Sequence, residues 1–224
     1  MSVKVKLIFG FSVLVGFITI GVATGIYSLR SFNDKLTQIV TVYSVKVQAL
    51  QGINKTILWL GRNEKNVILD TVDASMAGRL DLRKDKLKEM EELFTSLDKV
   101  GTANDVEKLK SLRTIYKDIL DANDKVFVFA LKNQNVEARD LSNKLTRPLT
   151  DQFEAILADL LKNGVNDMDK ENTRTNEYYQ SSVLSMSILL FISFAFGISI
   201  AIWIITTILK ALNSAVEISA SVSA

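Results

Sequence analysis

Residues 29–69 read LRSFNDKLTQIVTVYSVKVQALQGINKTILWLGRNEKNVIL, and the spacing of their apolar side chains decides the fold. Every seventh residue from Leu29 gives Leu36, Tyr43, Leu50 and Ile57; every seventh from Phe32 gives Ile39, Lys46, Ile53, Leu60 and Val67. Two interleaved heptad rows form the seam of a coiled coil or bundle helix, because side chains three, four and seven apart stack on one face. The rows break at Lys46 and Glu64.

The same register returns further on. Leu80, Leu87 and Phe94 run beside Met90 and Leu97; Leu109, Tyr116, Asn123 and Ala130 run beside Leu112, Ile119 and Val126; Leu149, Phe153, Ile156 and Leu160 form a fourth set. No stretch of comparable length alternates with period two, so the expected fold class is all-α. One proline and 10 glycines in 224 residues agree with few turns and long helices. Gly101, Thr102 and Asp105 predict a glycine helix stop, then an N-cap with an acidic residue three positions on. A first turn is expected within residues 70–78 and a third within residues 133–135. Pro148 should bend the fourth helix nearby.

Outward from this region the charges disappear. No residue between Lys6 and Arg30 is charged, nor any between Glu177 and Lys210. The first gap, residues 7–29, makes about 35 Å of helix, enough to cross a hydrocarbon core of ~30 Å. The second is apolar over residues 183–209, with Tyr178, Tyr179 and Trp203 near its ends, residue types suited to a membrane interface. A cleavable signal peptide is the alternative for the first gap, although the run exceeds the usual h-region and no A-x-A site ends it. Lys4, Lys6 and Lys210 flank the gaps, and the positive-inside rule then places both ends in the cytoplasm. The expected organisation is a membrane protein: a cytoplasmic segment 1–6, a transmembrane helix 7–29, an extracytoplasmic antiparallel four-helix bundle 30–180, a second transmembrane helix 181–209 and a cytoplasmic helix 210–224.

The outer domain holds all 27 basic residues except those three lysines and all 25 acidic residues except Glu217. Its charges balance, which describes a solvated module and leaves no basic stripe for nucleic acid. The chain has no histidine and no cysteine. Those zeros exclude Ser-His-Asp and Cys-His nucleophile systems, Cys/His zinc sites, His-held haem and disulfides. No paired carboxylates or glycine-rich phosphate loop stand out either, so no catalysis, metal or cofactor is expected.

Helix lengths add a geometric expectation. The first and fourth outer helices, about 60 and 65 Å long, exceed the second and third at about 40 Å. Next to the membrane only two helices would remain, and a partner chain is expected beside them. There the stripe Val165, Met168, Asn172, Thr175 turns polar, as in a solvated stalk or in a weakly held helix that slides or rotates.

Three stretches carry a family resemblance: Lys4-Val5-Lys6-Leu7-Ile8-Phe9-Gly10-Phe11, Arg62-Asn63-Glu64-Lys65-Asn66-Val67-Ile68-Leu69, and Leu145-Thr146-Arg147-Pro148-Leu149-Thr150. In this order and spacing the chain resembles bacterial methyl-accepting chemotaxis receptors with a four-helix-bundle sensor domain. Residues 208–218, ILKALNSAVEI, look like the first amphipathic helix of a HAMP linker, with Ala211 where that family often has proline. The connector and second helix of such a linker would follow Ala224, unless the chain is a natural protein without an output domain.

The resemblance implies a homodimeric transducer in a bacterial inner membrane, its central domain periplasmic or extracellular. It would sense an amino acid, an organic acid or a ligand-loaded binding protein, and relay a helix displacement to a cytoplasmic signalling module. Histidine kinases and cyclic-dinucleotide enzymes carry the same front end, and a helical scaffold is the alternative without sensing. In the resembled family small acids or amino acids bind near the distal end at the dimer interface and touch the first and fourth helices. At that level this chain has Arg62, Lys65 and Asn66 in the first helix and Arg139, Asn143 and Arg147 in the fourth. Paired arginines are a natural carboxylate clamp. The other reading of these residues is a solvated or ion-paired surface, Arg62 with Asn66 and Glu64 with its neighbours. In the spans, Gly21 and Gly25 form a G-x-x-x-G and Ser193 and Gly197 a small-xxx-small pair, spacings that let copies of a helix approach closely in lipid.

Overall fold

The heptad rows and the charge gaps both fold as helix in the computed structural model, which describes residues 3–222. Helix α1 (Val3–Gln38) continues through a π-helical segment, Ile39–Ser44, into α2 (Val45–Leu69). Helices α3 (Asp73–Val100) and α4 (Val106–Ala130) follow, and then α5 (Asn135–Leu141) passes through a second π-helical segment, Ser142–Thr146, into α6 (Arg147–Val222). Among the described residues there is no strand. Met1 and Ser2 of the expected cytoplasmic start, and Ser223 and Ala224 of the HAMP-like stretch, lie outside the described residues.

The chain divides into two compact units, Thr37–Asn172 and Met1–Leu36 with Thr173–Ala224. The first is the four-helix bundle. Leu50, Ile53, Ile57, Leu60 and Val67 of the heptad rows are at most 2% exposed. Leu50 to Leu60 pack with Phe94, Leu97, Leu112, Tyr116, Phe153 and Leu157 in one apolar cluster, and Val67 packs with Met76, Val126, Phe127 and Ala138 in another. Large apolar side chains buried this fully contribute roughly 1.5–3 kcal/mol each, which outweighs the weak helix propensity of Ile and Val.

The two heptad breaks are buried too. Lys46 and Glu64 are each 2% exposed. The Lys46 ammonium lies 2.7 Å from Asp105 and 3.8 Å from Asp167, so it ties α2 to the start of α4 and to α6. Glu64 stands in the layer between the two apolar clusters. Its burial overturns the surface reading in which it pairs with neighbours in solvent.

The loops correct three local expectations. The first turn occupies only residues 70–72, because the Asp70 carboxylate accepts from the Val72 N–H at 3.2 Å, from the Ser75 hydroxyl, and from Arg79 Nε at 3.3 Å. Ser75 and Gly78 therefore fall inside α3. Gly101 ends α3 in extended backbone, φ −66°, not in the left-handed conformation of a glycine stop. What selects glycine is space: a Cβ there would lie 2.9 Å from the Leu97 carbonyl oxygen. Thr102 does not cap α4 with its hydroxyl; instead Asp105 Oδ2 accepts from the Thr102 N–H at 2.8 Å and its hydroxyl at 2.7 Å. The left-handed residue of the bundle is Asn133, φ 55°, after α4. The Gln134 N–H bonds to the Phe129 carbonyl at 3.1 Å and the Asn133 N–H to Ala130 at 2.9 Å, the pairing of a Schellman stop.

Pro148 is the second residue of α6, and the distortion expected there takes the form of the π-helical segment just before it. A widened turn gives the ring room and absorbs the missing N–H.

In the other unit, α1 pairs antiparallel with the later part of α6. Phe17 stacks on Phe196 at 5.1 Å and Phe32 on Tyr179 at 5.4 Å, and Lys6 lies over Trp203 at 5.6 Å. Both helical stretches, Lys4–Leu69 and Asn135–Asn213, contain windows long and apolar enough to cross a membrane, with 6% and 0% of those windows buried. A core helix of a soluble protein would bury them. Here Ile8, Phe11, Ile18, Leu190, Phe191 and Phe194 are each more than half exposed, a surface that suits lipid and associates the protein with a membrane. The G-x-x-x-G motif faces inward: a Cβ on Gly21 would sit 3.1 Å from Leu189, and one on Gly25 3.1 Å from Met186. These glycines let the two helices of one chain approach closely.

Candidate functional site

Helical spacing brings residues 61, 64 and 65 of α2 to one side, and residues 147, 150, 151 and 154 of α6 to another. Between them opens a groove of about 310 Å³, lined by Gly61, Glu64 and Lys65, by Ser142, Asn143 and Thr146 of the π-helical segment, and by Arg147, Thr150, Asp151 and Glu154. Gly61 matters through what it lacks, since nothing lies within 4 Å of where its Cβ would be and the groove stays open there.

Glu64 forms the floor. Its carboxylate accepts from Asn123 Nδ2 on α4 and from the Ser142 hydroxyl. Asn123 and Thr146 are buried with it, and Asn63 Nδ2 reaches the Arg79 carbonyl at 3.4 Å on the α3 side. Burial raises the Glu64 pKa above its ordinary value, and the donors from Ser142 and Asn123 and the nearby Lys65 charge offset only part of that. The widened turn of residues 142–146 places Ser142 and Thr146 toward α2 while leaving Asn143 and Arg147 at the surface.

Of the six residues singled out from the sequence, Lys65, Asn143 and Arg147 meet at this groove. Arg62, Asn66 and Arg139 do not line it. At about 100° per residue, positions 62 and 66 rotate away from the face carrying 61, 64 and 65. Both are exposed, and Arg139, also exposed, pairs with Asp140 at 3.4 Å. Sequence reasoning missed Glu64, Ser142, Thr146, Asp151 and Glu154 as members. The available signal was the heptad break at Glu64, a polar residue at a seam position, which needs partners when buried.

The arrangement places two cations at the rim beside three carboxylates and several hydroxyl and amide groups. A family model described as a four helix bundle sensory module for signal transduction matches residues 1–179. No curated protein and no solved structure gives a significant match.

Proposed function

Because this chain belongs to the family of four-helix-bundle sensory modules for signal transduction, the sensor type of chemoreceptors, we propose that its α2–α6 groove binds a small carboxylate-bearing molecule, an amino acid or organic acid. The observation that carries this reading is the convergence of Lys65, Asn143 and Arg147 on one groove above the buried Glu64. Two cations at its rim match a carboxylate, and a ligand that fits one packing of the bundle better than another shifts the equilibrium between them, with typical couplings of ~1–3 kcal/mol. Helix α6 leads from the groove to the apolar stretch and to Lys210, and a displacement along it would reach a HAMP-type signalling module in the cytoplasm.

In this reading α1 and α6 span a bacterial inner membrane as an antiparallel pair, both ends are cytoplasmic, the bundle is periplasmic or extracellular, and the working unit is a homodimer. Lys4, Lys6 and Lys210 support the orientation. The test is a thermal-shift screen of the full chain in detergent or nanodiscs with amino and organic acids, followed by fusion to a known HAMP and kinase-control module. A rise in melting temperature, and kinase output that follows the same compound, supports the reading. A folded, inserted fusion that is silent to every compound, with no shift in melting, counts against it and favours a scaffold.

A further inference from the structure

Glu64 is the one carboxylate of the groove that sits beneath it, and nothing in a simple carboxylate clamp requires it. Asn123 and Ser142 already donate to it, and the buried Thr146 stands beside it. Among the described residues no basic side chain is bonded to it. The charged groups around it are Lys65 on its own helix and Arg147, Asp151 and Glu154 across the groove on α6. On the α3–α4 side Arg83 is held by Asp124 at 2.9 Å, on α5 Arg139 is held by Asp140, and Lys144 of the π-helical segment is exposed.

An acid placed in this groove brings a second negative charge next to a buried carboxylate. Two like charges at close range in a desolvated site cannot both ionise freely, so one is held protonated. We propose that the groove binds its acid ligand together with one proton taken from solvent onto Glu64, which makes the sensor respond jointly to ligand and to pH. The inference rests on the groove being the ligand site. Ligand and proton then each favour the binding of the other by the same factor. The protonated Glu64 also becomes a donor, able to turn from its layer toward the ligand or keep Asn123 through that residue's carbonyl oxygen.

The experiment is calorimetric titration of the full chain in nanodiscs with acetate, succinate and L-glutamate, each in two buffers of different ionisation enthalpy. The wild type is expected to take up close to one proton per bound acid. Its affinity should fall by up to about tenfold per pH unit between the Glu64 pKa of the free groove and the higher one of the occupied groove. Glu64→Gln, which keeps an acceptor for the layer, should bind without proton uptake and with a flat profile. Binding to the wild type with no buffer dependence overturns the proton linkage and leaves the groove reading standing. Binding by none of the three acids at any pH overturns both. Proton uptake that persists in Glu64→Gln assigns the proton to another group and also overturns the proposal.

Discussion

The Lys46 ammonium lies 2.7 Å from the Asp105 carboxylate with both side chains almost fully buried, 3% and 7% exposed. Taking both charges out of water is costly, and their attraction and the Thr102 donors repay it. Removing one partner strands the other. Lys46→Met is therefore expected to lower stability by about 3–5 kcal/mol. Lys46→Met with Asp105→Asn, which keeps an acceptor for the Thr102 N–H, should recover most of the loss. Denaturant unfolding followed by circular dichroism reads both, and a double variant no better than the single one counts against the stranded-charge account.

The two buried layers respond to pH with opposite signs. Burial alone would raise the Asp105 pKa, but Lys46 and Thr102 outweigh it and hold the carboxyl below its ordinary 3.8. Its stability contribution is present above that value and is lost as pH falls through the lower folded pKa. For Glu64, raised above 4.5, the contribution is full below 4.5 and is lost as pH rises through the higher folded pKa. Melting temperature against pH should thus fall on both sides of a mildly acidic optimum. Glu64→Gln should flatten the upper limb alone and Asp105→Asn the lower limb alone.

Lys65 and Arg147 should matter for binding where Arg62 does not. Replacing either by Gln removes a charge-assisted contact worth about 1.5–3 kcal/mol, roughly ten- to a hundredfold in affinity for a carboxylate. Arg62→Gln, outside the groove, should leave the affinity unchanged. Equal losses for all three would mean that diffuse positive charge, not the groove, attracts the acid, and the effect would then vanish at high salt.

Gly21 and Gly25 should prove to be spacers within one chain. Gly21→Leu with Gly25→Leu places side chains where Leu189 and Met186 already sit. Because the chain has no cysteine, Phe17→Cys with Phe196→Cys reports the pair cleanly through a short thiol cross-linker. Cross-linking within the chain should drop sharply in the leucine double variant. If it persists while cross-linking between copies drops, the glycines serve the dimer instead.

Much of the fold was legible in residues 29–69. Heptad spacing, the charge gaps and the scarcity of proline and glycine are local signals, and each corresponds to helix in the structure. Glycine and capping chemistry was less legible. Gly101, Thr102 and Asp105 do mark a helix boundary, but Asp105 is drawn inward by Lys46, a residue 59 positions earlier in the chain. Three of the ten residues that line the candidate site, Lys65, Asn143 and Arg147, were legible, because antiparallel helices place residues 65 and 143–147 at one level. The rest was hidden by rotation about the helix axis.

The sequence by itself determined that this protein is helical, where its apolar stretches lie and that Lys46 and Glu64 interrupt the seam, because periodicity and charge are properties of neighbours along the chain. Only the tertiary structure decided what those interruptions are. Whether a polar residue at a seam position faces water or a partner depends on what α4, the π-helical turn and α6 bring against it, and those groups are up to 121 residues away.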